Sequence, residues 1–174
     1  SITMDPHKWW FSPFDVAAII YRNPALAKEV HTQKASYLDV LHNDGDTDWN
    51  PTDYAYHLTR RARGLPLWFS VAVNGTDAYR DAVESSLSLT REVADHIRAH
   101  DKFELVQDPT LSVVLWRHKD WVASDYARMQ DVLLDQQIGF VTPTVWQGET
   151  VGRFAFIHPH TTLDMVVAMF EAIA

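Results

Sequence analysis

Ser1-Ile-Thr-Met-Asp-Pro-His-Lys-Trp-Trp-Phe-Ser12 sets one lysine between a histidine and two tryptophans, behind an Asp-Pro turn. Large rings around an ammonium disfavour its charged form by desolvation and lower its pKa. That is a drawback on a structural surface. For an amine that must attack a carbonyl it is an advantage, because neutral lysine forms Schiff bases. The competing reading is a lysine whose stem lies over the tryptophans while its ammonium stays in water. The residue types alone leave both open.

A chain of 174 residues can bury one sizeable core, or one small domain plus part of another. Hydrophobic residues at 47% and charged residues at 22% are ordinary for a soluble globular protein. The net charge of −8 argues against a nucleic-acid partner, which would need clustered Lys and Arg. The absence of cysteine excludes disulfides, thiolate catalysis and cysteine-zinc sites, and it fits a cytoplasmic protein. No run of 18 apolar residues and no charged-then-apolar leader pattern occur, so no membrane partner is expected.

Val16-Ala-Ala-Ile-Ile-Tyr21 is a continuous apolar run, which suits a strand buried on both faces of a sheet. Pro24 opens a short helix through Val30. Residues 33–53 are polar, acidic and rich in turn formers, and predict a loop. Asp44, Asp46 and Asp48 resemble the start of a calcium loop. Trp49 stands where that motif needs glycine and Ala55 where it needs glutamate, so a solvated acidic loop is the better account. Next, Arg60, Arg61 and Arg63 crowd into a short stretch of an acidic chain. They suggest either an anion nearby or an ion-pair network, the latter especially for Arg63.

Asn74-Gly75-Thr76 predicts a turn ahead of a long helix over 77–100, with Tyr79, Val83, Leu87, Ala94 and Ile97 on its apolar face. A domain boundary is placed near Asp101. Beyond it the patterning predicts strands over 103–106 and 111–116 and a helix from a Ser124 cap to Gln137. A strand over 140–144, a turn over 147–150, a strand over 151–157 and a helix capped by Thr162 complete the chain. Alternation groups Arg153 with Val151, Ala155 and Ile157, and an arginine on a buried apolar face would need a partner. His96 and His100 share a helix face, but Ile97 replaces the glutamate of a zinc-protease motif, and His158 with His160 lacks further ligands. No metal is expected.

Asp5-Pro6-His7-Lys8-Trp9 resembles the pyridoxal-phosphate attachment site of the group II amino acid decarboxylases, which include the aromatic-amino-acid and glutamate decarboxylases. Three further stretches come in the family's order. Tyr37 lies at the interval of the family's loop tyrosine. Arg60, Arg61, Arg63, Leu65 and Trp68 are in register with its G-R-R-F-R-x-L-K-x-W segment. Gly152-Arg153-Phe154 through Thr162 is similar to its R-F-x-x-x-N-P-x-T-T stretch. Thr59 replaces the family's glycine, Ala62 an aromatic residue and His158 an asparagine. These departures put the Thr59 backbone contact to the cofactor phosphate, and the contacts of the His158 loop, in doubt.

The resemblance implies an α/β fold, the fold-type-I pyridoxal-phosphate-dependent transferase architecture similar to aspartate aminotransferase. Residues 1–101 would be the C-terminal part of the large cofactor-binding domain, with a mobile loop at about 33–53. Residues 102–174 would be the small C-terminal α/β domain. It implies pyridoxal 5'-phosphate as cofactor, with Lys8 as the Schiff-base lysine and His7 and Asp5 beside it. His7 would position the cofactor or shuttle protons, Tyr37 would be the acid that protonates the product carbon, and Arg153 would face the substrate carboxylate or order the loop. The implied activity is decarboxylation of an L-amino acid to an amine and carbon dioxide in a cytoplasmic homodimer with shared active sites. Aldehyde-forming decarboxylation or oxidative deamination by the same fold and a non-catalytic half of a split or truncated enzyme are the alternatives. The family's upstream pocket residues do not precede Lys8, which leaves open a fragment, a domain cut from a longer chain, or half of a split or cleaved enzyme with a separate N-terminal chain as partner. The side chain of the substrate is not legible.

Overall fold

Asn23 and Pro24 start the first helix for separate reasons. The Asn23 side chain accepts from the Ala25 N–H at 3.1 Å, and Pro24 sits at the first helical position, where its missing N–H is not needed. In the computed structural model, which describes residues 1–33 and 49–174, this helix is α1, Pro24–His31. It belongs to the first of two compact units, Ser1–Val73 and Asn74–Ala174. Two short antiparallel strands precede it, β1 (Ile2–Met4) and β2 (Ala18–Ile20), paired Ile2 to Ile20 and Met4 to Ala18.

The apolar run at 16–21 therefore does form a strand, but not one buried on both faces. Ile2, Ile19 and Ile20 are exposed, because β2 has β1 as its only sheet neighbour among the described residues. A single turn of 3-10 helix comes next at Pro51–Tyr54, where the Asn50 side chain accepts from the Thr52 N–H.

Helix α2, Gly64–Arg98, begins well before the predicted start at 77. Pro66 falls in its first turn, where proline is tolerated. The predicted turn at 74–76 survives as an interruption at Gly75, whose φ of 74° and ψ of 160° suit glycine. The buried face of α2 carries Ser86, Leu89, Thr90, Val93, Ala94 and Ile97. Ala94 and Ile97 were expected there, whereas Tyr79, Val83 and Leu87 are only half-buried. Ser86 and Thr90 are tolerated inside because each hydroxyl returns its proton to a helix carbonyl, Ala82 O and Ser86 O respectively.

The second unit is built on a four-stranded antiparallel sheet in the order β3 (Phe103–Leu105), β4 (Val113–His118), β6 (Glu149–Ala155), β5 (Thr144–Trp146). Helices α3 (Ala123–Asp135) and α4 (Leu163–Ile173) complete the predicted succession of two strands, a helix, two strands and a helix. Ser124 does not cap α3. Val122 is the cap residue, and its N–H is met by Asp125 Oδ2 at 2.8 Å. Thr162 does cap α4, accepting from Met165 N–H. Gln147 and Gly148, with φ of 48° and 86°, form the two-residue turn joining β5 to β6.

The core lies between this sheet and the helices. Leu89, Val93 and Ile97 from α2 join Phe103, Trp116, Tyr126, Leu133, Phe154 and Phe170 in one cluster. The part of α2 that the sequence assigned to the large domain thus shares its core with the sheet beyond Asp101.

This packing has two testable outcomes. A Cβ at Gly152 would lie 2.2 Å from Cε2 of the fully buried Trp116, its partner across the β4–β6 pair. Gly152→Ala is expected to lower unfolding free energy by about 1–3 kcal/mol, the usual range for overpacking a core. An unchanged denaturant midpoint would show that the indole can move aside. The second outcome concerns His118. Burial pushes its imidazole below the usual histidine pKa, opposed by Asp120 and assisted by Lys102 and His100. The fold keeps the neutral ring, stacked on Trp121 with Nδ1 accepting from the Asp120 N–H. The unfolded chain, with a histidine pKa of about 6.5, then takes up the proton first. Stability is complete above that pH and is lost as pH falls from there through the lower folded value. The urea midpoint should therefore fall more between pH 7.5 and 5, roughly the range bracketing that titration, in the native chain than in His118→Gln. Parallel slopes would remove His118 from the account.

Candidate active site

Three backbone hydrogen bonds fold residues 5–12 into a tight turn. Lys8 N–H donates to Asp5 O at 2.9 Å, Phe11 N–H to Lys8 O at 3.1 Å and Ser12 N–H to Pro6 O at 3.0 Å. Pro6 is buried beneath the turn and Lys8 stands on top of it. The Lys8 side chain is 61% exposed, and its Nζ lies 2.7 Å from Asp5 Oδ2. This corrects the premise of a lysine enclosed by rings. Lys8 is paired with a carboxylate in open solvent, and Trp10 is itself exposed. The Asp5 carboxyl is held below its usual range, chiefly by the hydrogen bond from Lys8 and then by its charge.

His7 faces elsewhere. Its Nδ1 lies 2.7 Å from the Val16 carbonyl oxygen, which can only accept, so Nδ1 carries a proton and donates. The ring also meets Phe14 edge-on, with centroids 5.1 Å apart. These contacts fix the plane of the imidazole and leave Nε2 for other work. Ser12 Oγ, to which the sequence drew no attention, is buried without a hydrogen-bond partner among the described residues.

Asp15 carried no sequence signal either, and it organises the arginine cluster. Arg61 Nη2 lies 2.8 Å from Asp15 Oδ1 and Arg63 Nε lies 3.2 Å from Oδ2. Asp15 is held below the usual carboxylate range, first by its own backbone N–H and then by Arg63 and Arg61. The network reading thus holds for Arg61 and Arg63. Arg60 makes no ion pair among the described residues. All three arginines line a cleft of about 710 Å³ together with His7, Phe14, Asp15, Val16, Pro51, His57, Gly64 and Leu67. Neither Lys8 nor Thr59 lines it.

Asp53, read from the sequence as one more loop acid, is 3% exposed at its side chain. Lys28 Nζ at 3.3 Å and Thr32 Oγ1 at 3.3 Å hold its two oxygens. Gln33 Nε2 donates to the Tyr56 carbonyl at 2.9 Å. Tyr37 and the acidic residues Asp44, Asp46 and Asp48 lie outside the described residues.

Arg153 belongs to the second unit. It is exposed, with Ala155 and Ile157, while Phe154 and Phe156 turn inward, and it makes no ion pair among the described residues. The expectation of a buried arginine needing a partner is corrected accordingly, since β6 turns this side chain to its outer face. His96 and His100 pack against Phe170 and Phe103. Among the described residues no three histidines or acids cluster as a metal site would require.

Residues 1–119 match the family model described as the pyridoxal-dependent decarboxylase conserved domain. An aromatic-L-amino-acid decarboxylase from Bacillus atrophaeus is 24% identical over 99% of this chain and 38% of its own length. An L-2,4-diaminobutyrate decarboxylase from Acinetobacter baumannii is 32% identical over 67% of this chain and 23% of its own. The chain therefore spans well under half the length of these relatives. Among solved structures, Oryza sativa TDC with PLP and tryptamine superposes with a TM-score of 0.82, at 22% identity, over 98% of this chain and 37% of that one. The fold is the fold-type-I architecture that the sequence predicts.

The His7 contact makes a statement that spectroscopy can check. In a long-range proton–nitrogen correlation spectrum at neutral pH, the His7 Nδ1 should appear as the protonated nitrogen. A spectrum showing only Nε2 protonated would break the link to Val16.

Proposed function

This chain belongs to the pyridoxal-dependent decarboxylase family, and from that premise we propose that it serves in decarboxylating an L-amino acid to its amine. The observation that carries the reading is Lys8, an exposed amine on a turn closed by three backbone bonds, inside the stretch matching the family model. The residues present fit the cofactor: Lys8 offers a reachable amine, and His7 beside it has a fixed ring whose Nε2 has no hydrogen-bond partner among the described residues. Pyridoxal phosphate, when bound, supplies an electron sink for the pair left behind as the carboxylate departs.

The remaining roles belong to this chain. Asp5 orients the Lys8 amine before it is used, and the pair must open for the nitrogen lone pair to become available. His7 Nε2 can hold or move a proton without the ring turning, since Nδ1 is committed to Val16. Tyr37 gives the proton that replaces the lost carboxylate on the product carbon, and Arg153 faces the substrate carboxylate or orders the loop. The balance is one amino acid and one proton in, with the protonated amine and carbon dioxide out. Residues 1–101 act as part of the large domain and 102–174 as the small domain of a cytoplasmic homodimer with shared active sites.

Borohydride reduction of the cofactor-loaded intact protein, followed by peptide mapping, tests the central assignment. The label should fall on Lys8 and vanish in Lys8→Ala, and a label on another lysine would end the proposal. Tyr37→Phe should keep the label yet lower amine formation by about 100-fold or more, the usual scale for loss of a general acid. Undiminished amine formation would take the proton-donor role from Tyr37, and aldehyde in place of amine in the native protein would favour the oxidative alternative.

A further inference from the structure

We infer that Asp53 is a positioning residue for the proposed decarboxylation, tying together the two ends of the segment that carries Tyr37, which rests on the acid role proposed for Tyr37. Burial is the first ground. Among the described residues of the first unit, Asp53 is the one charged side chain withdrawn from water, at 3% exposure. A carboxylate taken out of water is costly unless donors meet it. Lys28 Nζ lies 3.3 Å from Oδ2, and Thr32 Oγ1 lies 3.3 Å from Oδ1. The Thr32 hydroxyl has one proton and also reaches Lys28 O at 2.7 Å, so the ammonium is the stronger partner.

Placement is the second ground. Thr32 ends α1, and its N–H returns to Lys28 O at 3.0 Å. Asp53 lies in the turn at Pro51–Tyr54, with its N–H held by Asn50 O at 3.1 Å. Next to Thr32, Gln33 Nε2 donates to the Tyr56 carbonyl at 2.9 Å. A buried carboxylate and an amide thus draw the chain together on either side of residues 34–48, and Tyr37 follows shortly after Gln33.

The clamped turn also belongs to the cleft. Pro51, its first residue, lines the same cleft as His7, which adjoins Lys8 in the sequence. Asp53 itself does not line that cleft, so its effect on the chemistry is through position. A proton donor must come within hydrogen-bond reach of the atom it serves, and small misplacements are costly. Holding both ends of the Tyr37 segment limits where that phenol can go.

Kinetics of the cofactor-loaded intact protein are the test, with the borohydride label at Lys8 as the check on cofactor attachment. Asp53→Asn and Lys28→Met should each lower kcat for amine formation about tenfold or more, the scale of a misplaced catalytic group, with KM and the label kept. Glu29→Gln, which removes an exposed charge from the same helix, should change kcat by less than about twofold, as screened surface charges do. In a Tyr37→Phe background, Asp53→Asn should cost less than about twofold further, because the two changes then remove one function. A full additional loss, a lost label, or equal effects of Lys28→Met and Glu29→Gln would overturn the inference. Hydrogen exchange without substrate separates that failure from failure of the Tyr37 assignment. The amides of Thr32 and Asp53, bonded to Lys28 O and Asn50 O, should exchange faster in Asp53→Asn than in the native protein. Unchanged exchange overturns the clamp whatever Tyr37 does. Faster exchange beside undiminished amine formation in Tyr37→Phe removes the acid assignment, and with it the route by which Asp53 acts.

Discussion

The imidazole N–H that His7 gives to the Val16 carbonyl joins the two ends of the lysine-bearing segment. The turn at 5–12 is closed by short-range backbone bonds, but these alone do not tie it to the chain beyond Ser12. The His7 bond reaches nine residues forward to the one buried residue at the start of the apolar run. Through it the plane of the ring, the exit of the chain into β2 and the position of Asp15 become one geometric problem. Asp15 in turn receives Arg61 and Arg63 from far along the chain. Water screens both of those ion pairs, so their effect is on direction more than on stability.

The pairing of Lys8 with Asp5 bears on the chemistry in an unexpected sense. A lysine desolvated by tryptophans would be ready as a nucleophile, whereas an ammonium bonded to a carboxylate is not. The bond from Lys8 holds the Asp5 carboxyl below its usual range. The same carboxylate keeps a long side chain in one direction, and orientation is a recognised part of the catalytic advantage of a bound amine. In the proposed role, Lys8 would need groups that displace Asp5 or exclude water around it. Neither tryptophan does so within this chain.

The second unit was largely legible because its signals are local. The alternating strands, the Gln147-Gly148 turn and the Thr162 cap each depend on neighbours a few residues away. What escaped the sequence depends on distance along the chain. Ser86 and Thr90 read as polar, yet they are buried because helix carbonyls take their hydroxyls. Asp53 read as a loop acid and Asp15 gave no signal, and only folding reveals Lys28, Thr32 and the two arginines around them. Arg153 was placed by alternation among apolar neighbours without knowing which face of β6 meets the helices. Lys8 stood out through a motif, but its environment was not legible, since adjacency in sequence said nothing about where Trp9 and Trp10 would turn.

The two units differ in what maintains them. Among the described residues nearly all buried hydrophobics belong to the second unit, around Trp116, Phe154 and Phe170, while the first buries Val16 and Ala27. At about 25 cal/mol per Å² of apolar surface removed from water, burial can stabilise the second unit against its conformational entropy. The described residues of the first unit bury far less of it, and directed polar contacts hold them: the His7 bond, the Asp15 pairs and the Asp53 clamp. Such contacts are specific in angle but weak in net energy. The residues with chemical potential thus sit where shape is set by hydrogen bonds rather than by close packing. Small changes in charge or in neighbouring protein should reshape the lysine turn long before they disturb the aromatic core.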